Sequence, residues 1–99
     1  MVLDRDFVLR SVNARADEFR RRGVRRLGLF GSVARGEARP DSDLGFVVEL
    51  ERKSFDDFME VRFLLEDMFG RKIDLVPIDR IKPAIRERIL SDVVDAPGF

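Results

Sequence analysis

The chain has 99 residues, 44% of them hydrophobic and 38% charged, which is the length of one domain and the composition of a folded protein rather than a disordered one. Nineteen basic residues balance nineteen acidic ones, arguing against stable nucleic-acid binding through a broad basic surface, and no stretch nears the roughly 20 apolar residues of a membrane span. Cys and His are both absent, so disulfides, structural zinc, thiol nucleophiles and imidazole triads are excluded, and any chemistry must use carboxylates, hydroxyls, backbone amides or a hard metal ion. A core this small leaves little apolar surface for a deep cavity, so a partner is expected to complete whatever cleft exists. The start, MVLDRDFVLR, carries acids and no apolar signal-peptide core, pointing to a cytoplasmic protein.

In chain order, residues 4 to 22 read as one helix, with Val8, Val12, Ala16 and Phe19 along its apolar stripe and Gly23 as its stop. Arg20, Arg21 and Arg22 fall in its last turn, where cations complement the helix dipole or, with Arg25 and Arg26, form a basic docking patch. Residues 24 to 30 alternate as a strand, Leu27 and Leu29 on one face and Gly28 and Phe30 on the other, and Gly31 ends it. The segment GSVARGEARPDSD is too polar for a core element but long enough for one helical turn and a loop. Residues 43 to 50 form the second strand, with Leu44, Phe46, Val48 and Leu50 facing one way and Asp43, Gly45, Val47 and Glu49 the other.

Ser54 opens a helix in a pattern like a capping box, Asp57 following three residues later, and Phe58, Val61, Leu64, Leu65 and Met68 form its buried stripe up to Gly70. Residues 72 to 76 are a third strand. The last helix is expected from about Asp79, with Pro83 in its first turn and Ile81, Ile85, Ile89 and Val93 on its apolar side. DAPGF reads as a frayed tail whose Phe99 is free to dock on a partner. The order helix, strand, strand, helix, strand, helix predicts a single α/β (α+β) domain over residues 1–99, a small mixed sheet with helices packed on it.

Three places in this pattern carry chemistry. Gly31-Ser32 follows a strand and opens a helical turn, exposing backbone N–H groups and a hydroxyl to an anion; a plain tight turn has the same sequence. Asp43 starts the second strand, or makes an Asx turn in the loop. Asp74 sits in the middle of KIDLV, where a central strand would bury it at a cost met by a cation, and an edge strand would expose it or pair it with an arginine.

Taken together, GSVARG, a polar spacer, DSDL at a strand start and an acid in a later strand resemble the nucleotidyltransferase superfamily that includes DNA polymerase beta, and most closely its minimal branch, the MNT or MntA-like proteins. The likeness runs from Gly23 to about Val93. It implies a polymerase beta-like fold in which Gly31 and Ser32 bind nucleotide phosphates, Arg35 neutralises phosphate charge or pairs with Glu37 or Asp41, and Asp43 and Asp74 are catalytic Mg²⁺ ligands. It also implies transfer of AMP from ATP to a tyrosine of a HEPN ribonuclease toxin, the chain acting as its antitoxin in a hetero-oligomer.

The pattern is broken at one position. The family carries a second aspartate two residues after the first, and Gly45 stands there. Acids at i and i+2 of a strand share a face with Cα atoms roughly 6.5 to 7 Å apart, the spacing that lets them embrace two cations about 3.5 to 4 Å from each other. Glu49 shares the face but lies about 13 Å further along, and Glu37 and Asp41 are loop acids that stand nearer the site. The expectation is therefore a weakened or inactive transferase, with a noncatalytic antitoxin that acts by binding alone as the alternative.

Overall fold

The computed structural model describes residues 3–99. Asp4 caps the first helix, α1 (Arg5–Ala14), its carboxylate accepting the Phe7 amide at 2.8 Å, and Val8 and Val12 face the core. The expected single helix from 4 to 22 is broken at Arg15, where φ is −114° and ψ 22°, and α2 (Ala16–Arg21) follows. The Arg15 amide bonds back to the Val12 carbonyl at 3.0 Å and also to that of Asn13, and its guanidinium pairs with Glu18. This tight turn preserves the spacing of Val12, Ala16 and Phe19, all buried, so the apolar pattern carries no trace of the break.

Four strands form a mixed sheet: β1 (Val24–Phe30), β2 (Leu44–Leu50), β3 (Ile73–Pro77) and β4 (Val94–Asp95), ordered β3-β2-β1-β4. β1 is antiparallel to β2 and β4, whereas β2 and β3 are parallel. The parallel pair is joined by α3 (Phe55–Phe69), which starts on the Ser54 cap with Oγ accepting the Asp57 amide at 3.2 Å and ends on Gly70 at φ 61°. Leu27, Leu29, Leu44, Phe46, Val48, Ile73 and Leu75 project from one face into the core with Val8, Val12, Phe19, Val61 and Leu65. Phe46 also stacks on Phe69 with ring centroids 6.4 Å apart.

Three readings of the C-terminal third are corrected. Asp79 lies in a separate 3-10 turn, Ile78–Arg80, and the last helix, α4, begins at Pro83 and runs to Asp92. No residue of α4 is buried and Ile85 is 45% exposed; of the expected stripe only Ile81, before the helix, reaches the core. The tail is not frayed. Val94 and Asp95 pair with Leu29 and Gly28, the Ala96 amide donates to Leu27 at 2.9 Å, and the Arg26 guanidinium grips both Asp95 oxygens at 2.8 and 3.0 Å. Phe99 docks inside the chain, edge-on to Phe19 at 6.0 Å with the Arg20 guanidinium 5.8 Å from its ring centre. No helix among the described residues is long and apolar enough to cross a membrane.

Gly28 allows the junction of α4 and β4 to lie against β1: a Cβ there would stand 2.7 Å from Val93 Cγ1 and 2.9 Å from Asp95 Oδ1. Gly28→Ala is therefore expected to destabilise the chain by about 1–3 kcal/mol. In hydrogen exchange the Ala96 amide should lose protection before those of β2; equal protection in both proteins would show that the junction can shift without loosening.

Candidate functional site

The face of the sheet opposite the core carries the candidate site. Residues directly opposed across a ladder share a face, and the registers set Phe30 opposite Gly45 and Gly45 opposite Asp74, a row across β1, β2 and β3. β2 begins at Leu44, one residue later than expected, so Asp43 stands just before it, and continuing the alternation by one residue would set it on the same face, two residues before Gly45. Strand spacing and rise then place the Asp43 and Asp74 Cα atoms roughly 8 Å apart. The start of β2 is pinned to β3 by the Leu44 amide on the Lys72 carbonyl, 3.1 Å, and by the Arg71 guanidinium on the Ser42 carbonyl, 3.1 Å. β3 is an edge strand and Asp74 is exposed, as is Asp43, so the buried-acid alternative for Asp74 does not hold.

Gly31 leaves β1 at φ 86°, with open space where a side chain would start. Residues 32 to 36 wind into a turn closed by Arg35 N to Gly31 O, Gly36 N to Val33 O and Glu37 N to Ser32 O, at 3.1, 3.2 and 2.8 Å. Val33 and Ala34 are buried and anchor the turn. The Ser32, Val33 and Ala34 amides donate to no main-chain carbonyl among the described residues and remain for an anion. A second turn, Arg39 to Ser42 with Pro40 inside it, delivers the chain to Asp43; the Ser42 amide donates to the Arg39 carbonyl at 3.0 Å and the Ser42 hydroxyl accepts the Arg39 amide at 2.7 Å.

Of the two acids expected to pair with Arg35, the structure shows Glu37 and not Asp41. The Arg35 guanidinium bonds Glu37 at 3.1 Å and Asp92, at the end of α4, at 2.7 Å, and these two hydrogen bonds raise its pKa above the ordinary arginine value. The link ties the Gly31–Gly36 turn to the last helix. The sequence gives no hint of a role for Asp92, because nothing in local spacing connects residues 35 and 92.

The metal ligands are incomplete. Among the described residues no three of Asp, Glu, His and Cys gather closely enough to hold an ion. Glu37 is engaged with Arg35, Asp41 is exposed in its turn, and Glu49 sits opposite Arg26 near the far end of β2. Asp43 and Asp74 are the two carboxylates here that could contribute to an Mg²⁺ site, and no third carboxylate for a two-cation arrangement joins them among the described residues. At Gly45 the space is filled instead: a Cβ would lie 2.9, 2.9 and 3.1 Å from Cε2, Cζ and Cε1 of the Phe30 ring. The alternation of β1 put Phe30 on this face, but only the hairpin register shows that it meets Gly45.

The site is open surface. The cleft of about 640 Å³ lies at the other end of the sheet, between Leu50, Phe55, Phe58, Pro77 and Ile78, and none of Ser32, Asp43 or Asp74 lines it.

Comparison with known proteins bears on the family and the fold. The family model for the nucleotidyltransferase domain matches residues 12–96. The protein adenylyltransferase MntA of Thermococcus cleftensis is 40% identical over 85 residues, covering 84% of this chain and 86% of the relative. A solved structure described as a minimal nucleotidyltransferase superposes with a TM-score of 0.71 at 34% identity, over 93% of this chain and 95% of the other. The MNT antitoxin structure determined with the tri-AMPylated HEPN toxin of Shewanella oneidensis shares the fold at a TM-score of 0.64 and 14% identity, over 92% of this chain and 73% of that one. The match over most of the chain, the identity to an MntA protein adenylyltransferase and the shared fold show that the chain belongs to the nucleotidyltransferase domain family.

Proposed function

We propose that the chain is an MNT-type antitoxin that binds ATP on the Gly31-Ser32 turn and serves as the adenylyltransferase of a HEPN ribonuclease toxin, with transfer weakened or lost through Gly45. The single observation that supports this reading is the pairing of Gly45, two residues after Asp43, with Asp74 across β2 and β3. The Thermococcus relative is named for protein adenylylation and the Shewanella structure contains an AMPylated HEPN toxin, which support the acceptor class. A net charge of zero supports a protein partner over a nucleic acid. ATP and Mg²⁺ are both available in the cytoplasm, where this reading places the chain.

In the reaction, the tyrosine oxygen forms a bond to the α-phosphorus of ATP, the bond from that phosphorus to the bridging oxygen breaks, and pyrophosphate leaves. The free amides of the turn and the Ser32 hydroxyl hold the terminal phosphates. Asp74, exposed on the edge strand, accepts the tyrosine proton. Asp43 and Asp74 would hold Mg²⁺, which when bound would supply charge neutralisation for the phosphates. The missing carboxylate sets the deficit. One carboxylate about 4 Å from a cation at an effective dielectric near 20 amounts to about 4 kcal/mol per unit charge, or on the order of 10³ in rate.

A noncatalytic antitoxin is the second reading, and the Phe30 ring over Gly45 favours it, because that volume is occupied by carbon rather than an oxygen donor. Mixing the chain with its toxin, ATP and Mg²⁺ separates the two: a gain of one AMP mass on the toxin indicates transfer, and tight complex formation without it indicates masking. Gly45→Asp is expected to raise the transfer rate by up to about 10³ in the same assay; no gain with the cognate toxin would count against the assigned site.

Arg35 gives an independent check. As a latch to Asp92 it is an exposed, solvent-screened ion pair, so Arg35→Ala should weaken ATP binding by no more than about fivefold and Asp92→Ala should do the same. As a direct phosphate contact it would contribute about 1.5–3 kcal/mol, and Arg35→Ala alone would cost more than about tenfold in affinity measured by calorimetry.

A further inference from the structure

We infer that the outer face of α3 binds the outer face of α4 on a second copy of this chain, a head-to-tail contact between two helix faces of opposite charge. The inference needs neither the nucleotide nor the toxin of the reading above, and goes beyond it.

Both faces are apolar and uncovered. On α3, steps of four residues put Phe55, Met59 and Phe63 along one stripe, turned away from the buried Val61 and Leu65. Phe55 is 75% exposed and Phe63 58%. α4 buries no residue, and Ile85 stands open on it. A helix of ten residues is marginal in water by itself, so α4 lacks the packing that ordinarily holds a helix of its length.

Charge decides the occupant. Glu60 and Asp67 stand three residues before Phe63 and four after it, on the same side of α3, and both are exposed. Lys82 and Arg88 stand three residues to either side of Ile85, and both are exposed. At a rise of 1.5 Å per residue the two acids lie about 10.5 Å apart along their helix and the two cations about 9 Å apart along theirs. A phenyl ring between two acids thus faces an isoleucine between two cations. Glu60, Lys82 and Arg88 make no ion pair among the described residues, so their charges remain for a partner. A symmetric pairing of α3 with α3 would set acid against acid, because that helix carries five acids and one arginine. α3 packs on the core face of the sheet, whereas the end of α4 lies against Gly28 on the opposite face, so the contact forms between copies rather than within one. A contact of this type repeats from copy to copy, into a ring or an open chain.

Sedimentation velocity on the full chain tests it. The mean mass of the native protein should rise with concentration and fall back as salt is raised, because exposed charges are screened. Phe63→Lys places a cation where the cations of α4 arrive, and Ile85→Glu places an acid where the acids of α3 arrive. Each variant should sediment as a single chain. Mixed in equal amounts they should form dimers and stop there, since Phe63→Lys keeps an intact α4 face and Ile85→Glu an intact α3 face. Both substitutions are at exposed positions, and circular dichroism checks that each variant keeps the native fold.

A native chain that stays single at every concentration would overturn the inference and leave the two faces to a different protein. Association that survives Ile85→Glu but not Phe63→Lys would overturn it in favour of an α3–α3 contact. Folded variants that stay single when mixed, or a native assembly that neither substitution disrupts, would overturn it as well.

Discussion

The double ladder of β2 is the constraint on which the site depends. Its antiparallel register with β1 and its parallel register with β3 together bring residues 30, 45 and 74, drawn from three segments of the chain, into one row. A slip of one residue in either ladder would send Asp74 or Phe30 to the core face, since side chains alternate at every step. The register is held by what lies beneath it. Leu44, Phe46 and Val48 are almost fully buried on the opposite face, as are Leu27, Leu29 and Ile73 beside them. Turning this set outward would expose six large apolar side chains, each worth about 1.5–3 kcal/mol of burial, far more than any polar contact at the site supplies. The core thus fixes the geometry of the polar face without touching it.

The loop between β1 and β2 faces a different problem. It has no ladder to hold it, and under the proposed function it would have to keep its amides aimed at one place. Two buried side chains, Val33 and Ala34, anchor its first turn, and the Arg35–Asp92 link ties its outer side to α4. α4 itself buries nothing, so its position depends on its ends: Ile81 in the core before it and the β4 pairing after it. The phosphate turn, the last helix and the short fourth strand therefore form one mechanically connected unit. The Arg26 grip on Asp95 and the docking of Phe99 on Phe19 belong to the same unit, although neither approaches the site.

Much of this was legible in the residues. The three longer strands and α3 announced themselves through alternation, the Ser54 cap and Gly70, and the structure places each within one residue of the expected ends. What stayed hidden had no local signature. The break at Arg15 keeps the helical spacing of the apolar stripe and involves neither Gly nor Pro. β4 is two residues long, too short to show a period, and its pairing depends on a glycine nearly seventy positions earlier in the chain. α4 has the apolar repeat of a buried helix, yet the sheet beneath it is too narrow to cover Ile85. At the site, the types of residue were readable from their resemblance to a known pattern, whereas the contact of Phe30 with Gly45 and of Arg35 with Asp92 required the fold.

Gly45 shows how a binding site and a catalytic site can part company on one fold. A glycine inside a strand forfeits side-chain packing and raises the entropy lost on folding by roughly 0.5–1 kcal/mol relative to alanine. Here the neighbouring ring covers the exposed backbone, so that part of the loss is offset by apolar contact across the ladder, in the manner of an aromatic paired with a strand glycine. The substitution also removes a negative charge from a face that already bears Asp43 and Asp74, relieving repulsion in the absence of a cation. Both effects favour the folded chain. Under the proposed function the same exchange would remove a ligand worth on the order of 10³ in transfer rate, while triphosphate binding through amides and a hydroxyl would use none of the missing charge. On that reading, stability and affinity on one side and turnover on the other would be set by different atoms.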